Sequence, residues 1–399
     1  MRLLLFTGTG GAGTTTVAAA TALHAARRGV KTMLLSLDGD SLPPALDATA
    51  DALSDQAEVE PGLLVRRVGP HQRAVRARTA LAAPLEQLAV ALGVDPLDER
   101  ELPALPLVDE VTALLEVRDA AGSGADLVVV DGPGLAAAVR LAALPAAVGR
   151  GIERLLPVER RMLWVMGHGA GAGTPPARGA VEAAEEFDAE LAAVRQVLQG
   201  PGVAVRLVVA PQRAALARAA RARTALALHG LTVDALVAPR LVPGAGEDAW
   251  RAERARAEAA ALADADRLFA PLPVLRAGER PVGPVTATDL AGIAAELYAD
   301  ALPTAVGGPD GGAPGGAGGG PVVERDGDRY VLVVALPGAR HGDVDVSRRG
   351  DDVLLDVAGE RRALRLPSGL QRCTLTAARL RNGALRLEFV PDPALWRGL

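Results

Sequence analysis

One cysteine, one lysine and very few aromatic side chains set the first limits on this chain. Cys373 is the sole cysteine in 399 residues, so an intrachain disulfide and a C-x-x-C clasp for zinc are both ruled out. Lysine occurs only at Lys31, and Phe, Trp and Tyr together make up 2% of the sequence, too little for the stacking platforms that single-stranded nucleic acids need. The five histidines, His24, His71, His168, His229 and His341, show no ligand spacing. Long apolar runs are missing as well. No stretch approaches 18 apolar residues free of charges and breakers, and the opening M-R-L-L-L-F-T is too short for a secretory signal. These absences lead us to expect a cytoplasmic protein with no integral membrane segment, no zinc and no nucleic-acid partner. A net charge of −5 and 49% hydrophobic residues suit a globular chain of two to three domains.

Against that background one segment stands out. Gly8 to Thr16 reads G-T-G-G-A-G-T-T-T and follows directly on the apolar run Leu3 to Phe6. A strand feeding a glycine-rich turn that opens a helix, here Thr15 to Arg28, is the geometry that cradles phosphate. Glycine lets backbone N–H groups converge on an anion at a helix N-terminus. Gly8, Gly10, Gly11, Ala12, Gly13, Thr14, Thr15 and Thr16 are therefore the expected nucleotide-binding residues. The point charge that normally meets the β and γ phosphates is absent, because Thr14 stands where G-K-[ST] carries its lysine. Lys31 is no substitute, since it falls in the turn between the first helix and the second strand, at the far end of the sheet from the loop.

The stretch resembles the deviant Walker A loop of the arsenite-pump ATPase family, which comprises ArsA and the tail-anchored-protein targeting ATPases and has the pattern G-K-G-G-V-G-K-T-T. Without gaps, Thr9 falls at the first lysine, Thr14 at the second, and Thr15 at the hydroxyl that ligates magnesium. In that family the first lysine reaches across a homodimer interface to the partner's nucleotide. The resemblance thus implies a homodimer and bound ATP or ADP with magnesium, and it marks both missing charges as ones that hydrolysis depends on. Further along, Asp38-Gly39-Asp40-Ser41-Leu42 stands where the family has the switch I motif D-P-A-H-S-L. Asp38 matches its water-positioning aspartate and is the implied catalytic residue, whereas the His is replaced by Ser41 or shifted. Asp131, closing the apolar strand in D-L-V-V-V-D-G-P-G-L-A-A-A-V-R (Asp126 to Arg140), is the implied Walker B carboxylate, so magnesium would sit with Thr15 and Asp131. The segment after it has lost every Thr and His of the family's switch II. Ala238-Pro239-Arg240 occupies the place of a turn in which an Asn reads adenine, and Pro239 offers neither a side-chain amide nor an N–H. With a single thiol the chain has no site for soft As(III) and no zinc clasp of the targeting ATPases.

The apolar runs Leu3 to Phe6, Thr32 to Leu37, Leu63 to Val68, Leu127 to Val130, Met162 to Met166, Arg206 to Ala210 and Leu231 to Val237 alternate with helical stretches. They predict an α/β fold of the P-loop NTPase kind, a mostly parallel sheet covered by helices on both faces, with ligand at the strand C-terminal ends. Thr79 to Leu92 and Val108 to Val117 carry helical stripes, and Asp289 to Asp300 is expected to close the domain. Gly167 to Pro176 reads as a surface loop, and the arginines of Arg213 to Arg223 as a solvated helix face. The expected division is an ATPase-like domain over 1–303, with helical insertions about 70–120 and 145–200, and a Gly/Pro-rich linker over 304–321. A β-sandwich over 322–391 and a tail over 392–399 complete it.

Within the linker, G-G-P-D-G-G-A-P-G-G-A-G-G-G at Gly307 to Gly320 has almost no core-forming side chain. The alternating runs between Tyr330 and Phe389 predict a small all-β sandwich. L-P-G at Leu336 to Gly338, G-E-R at Gly359 to Arg361 and R-N-G-A-L at Arg381 to Leu385 resemble the α-crystallin domain of small heat-shock proteins, which a bacterial branch of the ArsA family carries at its C-terminus. Such sandwiches bind partners through edges and grooves, so an unidentified protein partner or client is expected at the sandwich or the helical region.

These features leave more than one reading of function open. A charge-assisted hydrogen bond is worth roughly 1.5–3 kcal/mol, and removing one donor aimed at transition-state charge costs about 10² to 10³ in rate. Two such losses predict weak or lost hydrolysis, while backbone amides, the helix dipole and magnesium leave ATP binding possible. One reading is therefore an ArsA-type ATPase of slow turnover, a cytosolic targeting, assembly or regulatory factor and not an arsenite-pump subunit. The second is a pseudo-ATPase scaffold holding a protein partner. A third, a ParA-like partition ATPase, shares the loop but not Val139 to Pro145 or the sandwich.

Overall fold

The computed structural model describes residues 1–37, 42–46, 56–92, 94–95, 98, 100–101, 107–155, 175–243, 248–306 and 320–394. Asp38 to Ser41, the strand expected at Met162 to Met166, the loop expected from Gly167 up to Thr174, most of the glycine linker and the end of the tail lie outside the described residues.

The first half is an eight-stranded sheet in the order β3-β4-β2-β5-β1-β6-β7-β8. Its strands are β1 (Arg2–Gly8), β2 (Thr32–Ser36), β3 (Gln56–Glu60), β4 (Leu63–Arg67), β5 (Leu127–Asp131), β6 (Val203–Val208), β7 (Val233–Leu241) and β8 (Val274–Gly278). Every neighbouring pair is parallel except β3 with β4. Parallel strands must be covered on both faces, and β1 shows how a continuous apolar run achieves this. Leu3 and Leu5 pack into the core on one face, and Leu4 and Phe6 into the core on the other. On the first face lie α2 (Pro70–Leu92), α3 (Val108–Ala121), α4 (Leu135–Leu155), α5 (Pro175–Leu198), α6 (Arg213–Leu228) and α7 (Ala249–Phe269); on the second, α1 (Thr14–Arg27) packs beside α8 (Ala287–Tyr298).

Two strands exceed the sequence expectation. β3, Q-A-E-V-E, is an antiparallel edge strand in which no residue is fully buried, and its alternation offers only Ala57 and Val59 as apolar residues. β8, V-L-R-A-G, buries only Ala277. The helix expected from Thr79 begins nine residues earlier, at Pro70, because its first turns are polar. The expectation of no membrane-length apolar segment also needs qualifying. Among the described residues, Leu135–Arg154 in α4 is long and apolar enough to cross a membrane. Its apolar side, Leu135, Ala138, Val139, Leu141 and Leu144, is buried, and it packs against α5, α6 and α3, as the core helix of a folded domain does.

The second unit is a sandwich of two antiparallel sheets. The strands β9 (Val322–Asp326), β10 (Arg329–Ala335), β14 (Cys373–Arg381) and β15 (Ala384–Pro391) form one, in the order β14-β15-β10-β9; β11 (Val344–Arg349), β12 (Asp352–Val357) and β13 (Glu360–Arg365) form the other. A short helix, α9 (Ser368–Gln371), precedes β14. Alternate residues Leu332, Val334, Val353, Leu355, Val357, Leu385, Leu387 and Phe389 fill the space between the sheets.

The two units share packing. Leu228, the last residue of α6, is fully buried within the sandwich core. The Thr224 hydroxyl donates to the Pro337 carbonyl at 2.6 Å, the Arg150 guanidinium to the Ala363 carbonyl at 2.9 Å, and the Arg362 guanidinium to the Leu228 carbonyl. His229 is buried at this junction, and its Nε2 has no hydrogen-bond partner among the described residues. Burial, reinforced by the charges of Arg362 and Arg150, pushes the imidazole down to about 4. Burial and Arg150 likewise lower Arg362 to about 10.

Candidate functional site

At the end of β1 the chain must turn sharply into α1, and glycine makes that turn possible. Gly10, Gly11 and Gly13 have φ of 63°, 66° and 92°, a left-handed region that side chains disfavour. A Cβ on Gly8 would lie 2.4 Å from the Thr14 hydroxyl and 2.5 Å from the Val208 carbonyl, so that position excludes any larger residue. Beyond Gly10 and Gly11 the space is open. Gly13 caps α1 without a side-chain hydrogen bond, and the first turn of α1 has no acid. The result is an uncapped helix N-terminus at the bottom of an open glycine cradle, the arrangement that attracts an oxyanion.

The cradle opens into a cavity of about 700 Å³ lined by Gly8, Gly10, Gly11, Gly13, Thr14 and Thr15 from the loop and by Asp131 to Gly134 after β5. Sheet order explains the meeting. The connection after β1 runs to β2 on one side and that after β5 runs to β6 on the other, and the crevice at such a switch point is where α/β sheets bind ligands. Asp131 is in register with Phe6 on one side and Ser36 on the other, and its carboxylate is 2% exposed. The Ser36 hydroxyl lies 3.5 Å from Asp131 Oδ2, and the Thr7 hydroxyl donates to the Pro133 carbonyl at 2.6 Å, tying the loop after β5 to the end of β1.

Of the residues singled out from sequence, Gly8, Gly10, Gly11, Gly13, Thr14, Thr15 and Asp131 meet at this cavity. Ala12 is buried in the core against α1 and offers only its backbone, and Thr16 is half-buried on α1 away from the lining. Asp38 lies outside the described residues. Thr9 faces away, lining a second cavity of about 1220 Å³ with Gly8 and Gly10. That cavity runs between α4, α6 and the sandwich, with Arg140, Arg218, Arg221 and Arg340 among its lining. Lys31 precedes β2, and its carbonyl accepts from the amides of Asp126 and Leu127 at the start of β5, so it is at the opposite end of the sheet.

Four residues near the loop had not been singled out for this role. Arg73, from the first turn of α2, lines the cavity together with Asp109 and Glu110 from α3. The sequence signal for Arg73 was the start of α2 at Gly69-Pro70. Arg240, at φ 63°, stands on the other side. Its Nη1 donates to the Gly11 carbonyl at 3.0 Å, and its Nε meets both carboxylate oxygens of Glu279 at 2.9 and 3.1 Å.

The sheet, the glycine cradle and the acidic residue closing the neighbouring strand define a P-loop nucleoside-triphosphatase fold. Residues 1–297 match the family described as anion-transporting ATPase, ArsA, and residues 327–389 match the HSP20-like domain found in ArsA; the chain belongs to the ArsA family. It is 38% identical to the protein SCO2128 of Streptomyces coelicolor, covering 99% of both chains. It is 31% identical to the protein Rv2184c of Mycobacterium tuberculosis, covering 99% of this chain and 97% of the relative. A protein of Chlorobaculum tepidum named "Putative arsenical pump-driving ATPase" is 25% identical, with 93% of this chain and 91% of that one covered.

Proposed function

We propose that the protein binds ATP with magnesium in the cavity above the glycine loop and hydrolyses it weakly or not at all. On this reading it acts as a cytoplasmic, homodimeric targeting, assembly or regulatory factor. The observation that carries the proposal is a complete backbone cradle beside a buried aspartate, with threonine at both lysine positions. The residues present fit the ligand: the amides of Gly10 to Thr15 would meet the phosphates, and Thr15 with Asp131 would hold magnesium, which supplies charge neutralisation at the phosphate oxygens. Neither Thr9 nor Thr14 brings a charge, so transition-state stabilisation from the loop falls short by roughly two donors. An arsenite-pump role is disfavoured by chemistry, since Cys373, the single thiol of the chain, is buried in the sandwich.

A scaffold with no turnover is the second reading, favoured by the arginine-bearing cavity shared by α4, α6 and the sandwich, where a protein partner would dock. Calorimetric titration with magnesium ATP and ADP, together with phosphate release, separates the readings. Wild type is expected to bind ATP and release phosphate at background, and the Thr9→Lys, Thr14→Lys double variant is expected to gain release. Rapid turnover by wild type that Asp38→Asn abolishes would overturn the weak-hydrolysis reading.

A further inference from the structure

We propose that Arg73 supplies, from outside the loop, the positive charge for the terminal phosphate that Thr14 does not. The inference rests on the nucleotide reading above and adds a residue to it. Among the described residues lining the loop cavity, Arg73 is the only cation. The topology that brings it there is specific. α2 leaves the C-terminal end of β4, next to β2 and two strands from Asp131, so it starts at the same end of the sheet as the glycine loop. The Arg73 amide donates to the Gly69 carbonyl at 3.0 Å, which places the residue in the first turn of the helix. There its charge opposes the helix dipole, an arrangement that helix stability does not favour.

The guanidinium is held loosely. Its side chain is 28% exposed, and its nearest carboxylate oxygen, on Asp109, is 3.9 Å away, beyond hydrogen-bond reach. Among the described residues its five N–H donors have no hydrogen-bond acceptor. Asp109, itself 63% exposed, acts as a parking partner that a phosphate group displaces. A planar guanidinium then makes paired hydrogen bonds to two phosphate oxygens. Glu110, the other acid from α3 in the cavity, already faces Arg140 at 3.7 Å. Arg240 plays a different part, because its guanidinium is committed to Glu279 and the Gly11 carbonyl. It braces the loop from the side of β7, whereas Arg73 stands on the side of Asp131, where magnesium and the outer phosphates would lie.

The test is isothermal titration of the full-length chain, with magnesium, using ADP and the non-hydrolysable triphosphate adenylyl imidodiphosphate. Arg73→Ala is expected to weaken triphosphate binding about tenfold to hundredfold and leave ADP within about twofold of wild type. Arg73→Lys should recover part of the loss, and Asp109→Asn should tighten the triphosphate alone. Unchanged triphosphate affinity in Arg73→Ala, or equal losses for both nucleotides, overturns the assignment while leaving nucleotide binding intact. Wild type that binds neither nucleotide brings down both readings. Should Arg73→Ala fail to fold by circular dichroism, Asp109→Asn decides alone, and no gain in triphosphate affinity counts against Arg73.

Discussion

At the scale of single residues, the chain shows what charge does when it is removed from one place and buried in another. Glycine at Gly10 and Gly11 answers a backbone requirement, φ near +65°, whereas threonine or lysine at Thr9 and Thr14 would follow the same backbone path. Burying a charge is costly, and His229 shows the cost by being held neutral. Its folded value of about 4 lies below the ordinary 6.5, so the unfolded chain binds the extra proton first. The corresponding stability is complete above pH 6.5 and is lost as pH falls toward 4. The shift corresponds to roughly 3 kcal/mol at full loss. Urea denaturation followed from pH 7 to pH 4 should show this decline, and His229→Gln should flatten it. A slope unchanged in His229→Gln would assign the acid sensitivity to other groups.

Elements explain which parts of the architecture could be read in advance. β1, β2 and β5 are apolar on both faces and flanked by turn residues, so their pattern is unmistakable. The polar β3 and the sparsely buried β8 sit at the two sheet edges, where less burial is demanded and the apolar signal fades. The same fading hid the first turns of α2, His71 to Arg76, and with them Arg73. The loop glycines were legible because backbone chemistry ties them to adjacent sequence, and Thr15 and Asp131 were singled out through the resemblance to family motifs. Arg73 was not, since its nearness to the loop is made by tertiary topology alone, and Arg240 was placed near the ligand only by the resemblance of Ala238-Pro239-Arg240 to an adenine-reading turn. β6 holds another feature that pattern reading missed. Arg206 is fully buried, pairs with Asp234 at 3.2 Å and with the Tyr298 hydroxyl at 3.1 Å, and donates to the Pro303 carbonyl. Its neighbours more than offset burial, and its basicity is raised. Removing one partner strands the other charge, so Asp234→Ala should cost about 3–5 kcal/mol in chemical denaturation. The paired replacement Arg206→Met with Asp234→Leu should cost far less. Equal losses in the two variants would contradict this account.

For the whole molecule, the question is whether the two units behave as one. Four hydrogen bonds among the described residues, the fourth from Arg365 to Glu153, and the insertion of Leu228 into the sandwich core predict coupled unfolding. Scanning calorimetry of the wild type should give a single main transition. Leu228→Ala should remove about 2–5 kcal/mol and separate the sandwich as an earlier event. Two transitions already present in wild type would show that the junction is too weak to couple them.

The seating of Leu228 also bears on how this chain can be divided. The covalent seam runs through the glycine-rich segment, but the packing seam runs elsewhere, because a side chain from the eight-stranded half completes the interior of the other half. A truncation at that segment would leave one fragment with an unplugged hole and the other with an uncovered leucine. Excised halves are therefore poor proxies for the intact protein, and exchanging the C-terminal module between relatives should succeed only when the end of α6 travels with it.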